Sequence, residues 1–411
     1  MLRGLAQTRT KLPIRTNPGV LRSTASLQSM AQQWNIRSFS QGPPGEDLAV
    51  PVDVRKQQNA FYITFNRPKA LNALDLEMIE ALTPQLVAIN SDKDTGVVIM
   101  RGHGGKSFCA GGDIRTLWDH RDKDEGDKVQ EKFFRNEYRL DHMLARSNSF
   151  KPYVAIYNGI VMGGGVGMSI NAPVRVATDS TVFAMPETGI GFFPDVGGSY
   201  FLPRLPGALG MYLALTGYRL KGYDAVIAGV ATHFVKEDKL EPLLQALEQV
   251  GPANSENVES IVDDYTDATA VTSAGKSEIT RAKRLIDHAF SKGSVEAIMA
   301  ELEDMKQSDD EFTAEWATKT LKTLNKMSPT SLKVTHEQVC TCCRNCVSVL
   351  ACVTWLINLQ LVRGENMDLD SCYAMELALA TNFMRVSGEF SLLPRSIPPV
   401  FLLREKSNSI E

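Results

Sequence analysis

Glu187 is the only charged residue in Phe183-Ala184-Met185-Pro186-Glu187-Thr188-Gly189-Ile190-Gly191-Phe192-Phe193, and Asp195 follows in Pro194-Asp195-Val196-Gly197-Gly198. Apolar surroundings raise a carboxylate's proton affinity and suit it to proton transfer. Shortly upstream lies a glycine cluster, Gly163, Gly164, Gly165 and Gly167. Glycine leaves main-chain N–H groups bare, and where such a turn opens a helix they suit an oxygen that is gaining negative charge. A second glycine pair, Gly111-Gly112 in Lys106-Ser107-Phe108-Cys109-Ala110-Gly111-Gly112-Asp113, could present another donor. Two such donors would complete an oxyanion hole, and with two isolated acids they equip a chain for acyl transfer. Each piece also has a plainer reading. The 106–113 stretch fits a tight strand-to-helix turn capped by Asp113, Glu187 could cap a turn, and Asp195 could bond the backbone of Val196 and Gly197 as an Asx-turn.

Other chemistries fit less well. The glycine cluster fails the dinucleotide-binding spacing, because Met168 stands where the third glycine belongs, and no Lys-Ser or Lys-Thr follows to make a phosphate loop. No Gly-x-Ser-x-Gly elbow is present. The six histidines lack metal-site spacing, and His103 and His233 are expected to be structural. The Cys340-x-Cys342-Cys343-x-x-Cys346 cluster has no second pair at zinc-ribbon distance, so no metal is expected.

The elements that would have to position these residues follow from periodicity. Phe61 to Phe65 and Gly96 to Arg101 read as strands, and Leu76 to Asn90 carries apolar residues at helical spacing. A helix from about Lys128 to Ala145, a strand at Tyr153 to Tyr157, a helix from Gly164 to about Asn171, and strands at Val174 to Ala177 and Val182 to Ala184 continue the alternation, which predicts an α/β fold. From Leu209 onward the pattern is helical: Leu209 to Leu215, Asp224 to Ala228, Leu240 to Val250, Lys283 to Phe290, Val295 to Met305 and Phe312 to Met327. The polar stretch from Pro252 to Ser277 reads as a surface excursion or a loosely packed helical link.

A chain of 411 residues with 43% hydrophobic content can bury one large core with a helical appendage, and its net charge of -4 gives no reason to expect nucleic acid. A small-molecule partner is the better expectation. No apolar run reaches the roughly 20 residues that span a bilayer. Before the first acid, Glu46, come Arg3, Arg9, Lys11, Arg15, Arg22 and Arg37 among many Ser, Thr and Gln residues. That is the pattern of a mitochondrial transit peptide, with Arg37-Ser38-Phe39-Ser40 as a candidate processing site, so the matrix is the expected compartment.

Taken together, Asn66-Arg67-Pro68-Lys69-Ala70-Leu71-Asn72-Ala73-Leu74, the Phe108 to Asp113 loop, Tyr157-Asn158-Gly159 through Gly167, Phe183 to Gly191, Phe193 to Gly198, Leu213 to Gly217 and Ala231 to Val235 resemble the enoyl-CoA hydratase/isomerase (crotonase) superfamily. The resemblance runs from about Val52 to Val339. It implies a spiral of ββα turns with a helical C-terminal region, within which a plain α/β alternation would be found. It also implies that Gly112 and Gly164 are the two N–H donors for a thioester oxygen, that Glu187 and Asp195 are the catalytic acids, and that Glu137 contacts the substrate. Gly164, Glu187 and Asp195 would touch the substrate too. Coenzyme A would lie along Lys69 to Leu74 and Phe108 to Asp113 as part of the substrate, with no separate cofactor. A homo-oligomer is compatible with the resemblance.

Within that superfamily the hydratases use two glutamates, the first lying three residues after the donor glycine; here that position is Gly167. With that proton carrier missing and Asp195 standing where hydratases commonly have glycine, hydrolysis of a β-hydroxyacyl-CoA thioester is the expected reaction. A hydratase or isomerase, and an inactive CoA-binding form, are the alternatives. The resemblance breaks after Val339, returns from Arg363 to Arg385, and breaks again. The expected organisation is therefore a leader over 1–46, an acyl-CoA domain over 47–339, a cysteine-rich apolar insertion over 340–362, and a divergent tail over 363–411.

Overall fold

The computed structural model describes residues 50–120, 126–147, 151–267, 277–339 and 368–389. The expected leader, the 340–362 insertion and most of the 363–411 tail lie outside the described residues.

Among the described residues, ten strands form two sheets. β1 (Val52–Gln57), β2 (Ala60–Phe65), β3 (Val97–Gly102), β5 (Tyr153–Tyr157), β7 (Val174–Ala177) and β10 (His233–Phe234) make the larger one, in that order. β4 (Ser107–Cys109), β6 (Ile160–Met162), β8 (Val182–Ala184) and β9 (Leu220–Lys221) make the smaller. β2, β3, β5, β7 and β10 are parallel neighbours, with Tyr62 opposite Ile99, Val98 opposite Tyr153 and Val154 opposite Val174. β4, β6 and β8 are likewise parallel. Successive pairs (β3 with β4, β5 with β6, β7 with β8) thus give one strand to each sheet, which is the expected spiral.

The reason for the long apolar runs is burial on both faces. Every residue of β2 and of β5 is buried. One face of the large sheet meets the main core, which includes Phe65, Phe108, Tyr157 and Phe183. Its other face packs Tyr62, Ile99 and Val154 against Leu243, Leu247, Val258 and Val262, carried by the helices Glu237–Glu248 and Val258–Tyr265. Glu248 also accepts a 2.5 Å hydrogen bond from the Tyr62 hydroxyl.

Most predicted elements are found within a few residues. The Leu76–Ser91 helix buries Met78, Ile79, Leu82, Leu86 and Ile89, and its N-cap Asp75 accepts from the Met78 N–H at 2.8 Å. The helix expected from Gly164 to about Asn171 is regular only over Gly164–Gly167. Three glycines in four residues are poor helix formers, and a looser turn follows. The 252–277 stretch contains a packed helix rather than an open excursion, with Val258 and Val262 buried.

The consequence for the site is topological. β4, β6 and β8 lie side by side and point the same way, so the segments leaving their C-terminal ends emerge together. Those segments are Gly111-Gly112, Gly163-Gly164 and Pro186-Glu187.

Candidate active site

Gly112 and Gly164 are brought together as expected. A methyl group added at Gly164 would lie 3.4 Å from the Gly112 nitrogen. The preceding residues set the turns: Gly111 has φ +107° and Gly163 φ +45°, backbone that side chains rarely tolerate. Gly112 is tied to the 66–74 segment on both sides, through Leu74 N–H to Gly111 O at 2.8 Å and Asp113 N–H to Leu74 O at 2.7 Å. That segment is itself anchored by the buried Asn72, whose amide donates to the carbonyls of His103 at 3.0 Å and Ser107 at 2.7 Å. Asp113 caps the following helix, accepting from Thr116 N–H at 3.1 Å, and holds Arg67 at 2.8 Å.

Glu187 opens the short helix Glu187–Ile190 after β8 and is 5% exposed. A methyl group at Gly163 would lie 3.1 Å from its Oε1, and its Oε2 has no hydrogen-bond partner among the described residues. Phe192 and Phe193, with ring centroids 4.4 Å apart, continue this turn, and they pack against Phe134 and Phe383. Burial, and then the charge of Asp195, push the Glu187 carboxyl well above the usual range.

Asp195 is 6% exposed and accepts from the Tyr138 hydroxyl at 2.7 Å. Burial raises its carboxyl to about 6, against the pull of that hydroxyl. The Asx-turn reading does not describe it, because the Gly197 N–H donates elsewhere, to Glu376 at 2.7 Å.

Glu137 comes from the Gly126–Ser147 helix, where Phe133, Phe134, Glu137, Tyr138 and Asp141 face inward. A methyl group at Gly164 would lie 2.3 Å from Glu137 Oε1, so this acid sits directly over the second glycine turn. Its carboxyl is pushed well up by burial and by Asp195.

Two acids were not found by sequence reasoning. Asp141, one helical turn beyond Glu137, is fully buried, and neither of its oxygens has a hydrogen-bond partner among the described residues. A methyl group at Gly167 would meet Asp141 Oδ2 and Val196 Cβ, each at 2.5 Å. The space where a hydratase would begin its first glutamate is therefore filled from another helix. The i, i+4 spacing of Glu137 and Asp141 was the available signal. Glu376 lies on the helix Leu369–Glu389 and is fully buried beside the Asp195 turn. Nothing local in sequence links it to a residue so far upstream.

Beside the first glycine turn is a cavity of about 240 Å³ lined by Pro68, Lys69, Leu71, Asn72, His103 and Lys106, with Gly104 and Ser107. Leu71 and Ile114 are two of the three exposed large hydrophobics among the described residues. His233 is structural, buried between Thr232 Oγ1 at 2.7 Å and Asp263 Oδ1 at 3.2 Å. Burial of Cys109 pushes its thiol up to about 12.

A family model described as enoyl-CoA hydratase/isomerase matches residues 60–391. The chain is 43% identical over 339 residues to a Gallus gallus protein named "3-hydroxyisobutyryl-CoA hydrolase, mitochondrial", covering 82% of this chain and 80% of that one. It is 49% identical over 280 residues to the Xenopus tropicalis protein of the same name, covering 68% and 70%. Among solved structures, a carnitinyl-CoA dehydratase from Mycobacterium thermoresistibile superposes with a TM-score of 0.64 at 31% identity, over 82% of this chain and 88% of that one.

Proposed function

The chain belongs to the enoyl-CoA hydratase/isomerase family, and from that premise we propose that it hydrolyses 3-hydroxyisobutyryl-CoA, and 3-hydroxypropanoyl-CoA, to the free hydroxy acid and coenzyme A. The observation that carries this reading is the buried Glu187 carboxyl beside the Gly163 turn, with Asp195 near enough for its charge to raise Glu187's proton affinity and Gly167 in place of a hydratase's first glutamate. The names of the Gallus and Xenopus relatives support the same substrate.

The thioester oxygen binds between the N–H groups of Gly112 and Gly164, each such donor being worth about 2.7–4 kcal/mol to the developing oxyanion. Burial and the charge of Asp195 hold the Glu187 carboxyl well above the ordinary range, and burial raises Asp195 to about 6, so the two acids can hold and pass a proton. The carboxylate form either takes a proton from the water whose oxygen attacks the thioester carbon, or attacks directly to give an anhydride that water then cleaves, releasing the hydroxy acid. In both routes the C–S bond breaks as the tetrahedral centre collapses. The departing thiolate receives the remaining proton. Glu187 is the better placed to attack, with Oε1 beside the second glycine turn and Oε2 without a hydrogen-bond partner among the described residues, while Tyr138 holds Asp195. Glu137 lies over the Gly164 turn, within reach of the acyl group's hydroxyl. The cavity beside Lys69 and Leu71 accepts the coenzyme A end. The reaction fits valine breakdown in the mitochondrial matrix, where the basic leader would deliver the chain.

The test supplies 3-hydroxyisobutyryl-CoA and, in parallel, crotonyl-CoA, and follows free thiol. Release from the hydroxyacyl substrate alone is expected. Consumption of the crotonyl double bond without thiol release would overturn hydrolysis in favour of hydration.

A further inference from the structure

Val196 is a buried β-branched residue with φ +50°, a backbone conformation that branched side chains rarely adopt, and Gly197 beside it has φ +89°. Such a turn persists only where its surroundings over-determine it. Here they include a carboxylate from the far end of the chain. Gly197 N–H donates to Glu376 Oε2 at 2.7 Å, while Ser199 donates to Oε1 through both its N–H at 2.9 Å and its hydroxyl at 2.5 Å. Three donors face the two oxygens, the pattern that suits an acceptor-only carboxylate.

The Gly197 carbonyl accepts from the N–H groups of Tyr200 at 2.9 Å and Phe201 at 3.0 Å, as the following helix begins, and other contacts hold the flanks of the turn. Gln338 Nε2 donates to Pro194 O at 2.8 Å, and Tyr138 donates to the Asp195 side chain. The Gly198 N–H closes back on Asp195 O at 2.7 Å, so the conformation at Val196 and Gly197 fixes where the Asp195 main chain lies. We propose that Glu376 is a positioning residue for Asp195: by clamping the amides of Gly197 and Ser199 it holds the left-handed step at Val196, and through it the direction of the Asp195 carboxyl toward Tyr138 and Glu187. The C-terminal helix Leu369–Glu389 thereby completes the site without touching substrate.

The proposal rests on the hydrolase reading for its kinetic consequence but not for its structural one. Glu376→Gln keeps an oxygen for Ser199 and turns an N–H against the N–H of Gly197, changing the clamp with almost no change in volume. In the full chain, kcat for thiol release is expected to fall about 10- to 100-fold, since small misplacements of reacting groups carry costs of that order. KM should stay within about twofold, with little change in Tm, and deuterium exchange of the 194–199 segment should quicken by about tenfold as the Gly197 amide loses its acceptor. Ser199→Ala removes one donor of three and should lower kcat several-fold at constant KM, which gives a second reading should Glu376→Gln not fold. An unchanged kcat in either variant, or kcat, KM and Tm failing together, overturns the positioning role. Exchange is read without substrate: an inactive parent would defeat only the hydrolase reading, and equal exchange in parent and Glu376→Gln would defeat the clamp.

Discussion

At the scale of single residues, the buried acids have different tasks and should answer differently to substitution. Glu187→Gln removes the carboxylate beside the glycine turn and should lower kcat by about 10²- to 10⁴-fold while leaving CoA binding intact, as checked by thiol release and by calorimetry with CoA. With Asp195 raised to about 6, activity should climb as pH rises through that value and the Glu187–Asp195 pair gains its single charge. Asp195→Asn should abolish that limb of the kcat/KM profile. Asp141 is expected to affect stability. Burial holds it protonated in the fold, whereas the unfolded chain ionises it above about pH 4. Its contribution is therefore fully present below that pH and is lost as pH rises toward the folded value. Asp141→Asn removes this titration, so relative to the parent the variant should melt at a higher temperature near pH 7 than it does near pH 4. Glu187 and Asp195 were legible because each sits alone among apolar or glycine residues. Tyr138, Asp141 and Glu376 were not, because their roles come from what other elements bring against them.

At the scale of elements, the two glycine turns work only while the helix Gly164–Gly167 and β4 stay in contact. A methyl group at Gly165 would lie 2.4 Å from Cys109 O, a backbone atom that cannot swing aside. Gly165→Ala should cost about 1–3 kcal/mol by overpacking, read from urea unfolding. It should also lower kcat, because the shift separates the amides of Gly112 and Gly164. The longer strands β2, β3, β5 and β7 were legible from continuous apolar runs. β4 and β6 were not read as strands, each lying next to a glycine-rich turn that dominates the local pattern, yet they are the strands that set the two turns side by side. The alternation was thus visible from sequence, whereas the division of each spiral turn between two sheets depended on pairings distant in sequence.

At the scale of the whole molecule, the site draws on segments spread from Asn66 to Glu376, and its last contributor is the C-terminal helix. Cys372, Tyr373, Met375, Leu379 and Ala380 of that helix are buried, and it packs along the Gly126–Ser147 helix that carries Glu137 and Tyr138. A chain ending at Val339 should keep its spiral, seen as largely preserved far-UV dichroism, and lose thiol release. The sequence reading found the return of family pattern over 363–385 but assigned it no element, since its packing partners are distant in sequence, such as Ser199 for Glu376 and Phe193 for Phe383. Cys109 is sealed between the two glycine turns, with its thiol raised to about 12, so in the folded chain it is protected from alkylating reagents. Its labelling rate, followed by mass spectrometry of the peptide that contains it, is a native clock for the opening of the two glycine turns. A bound acyl-CoA that closes those turns should slow that clock.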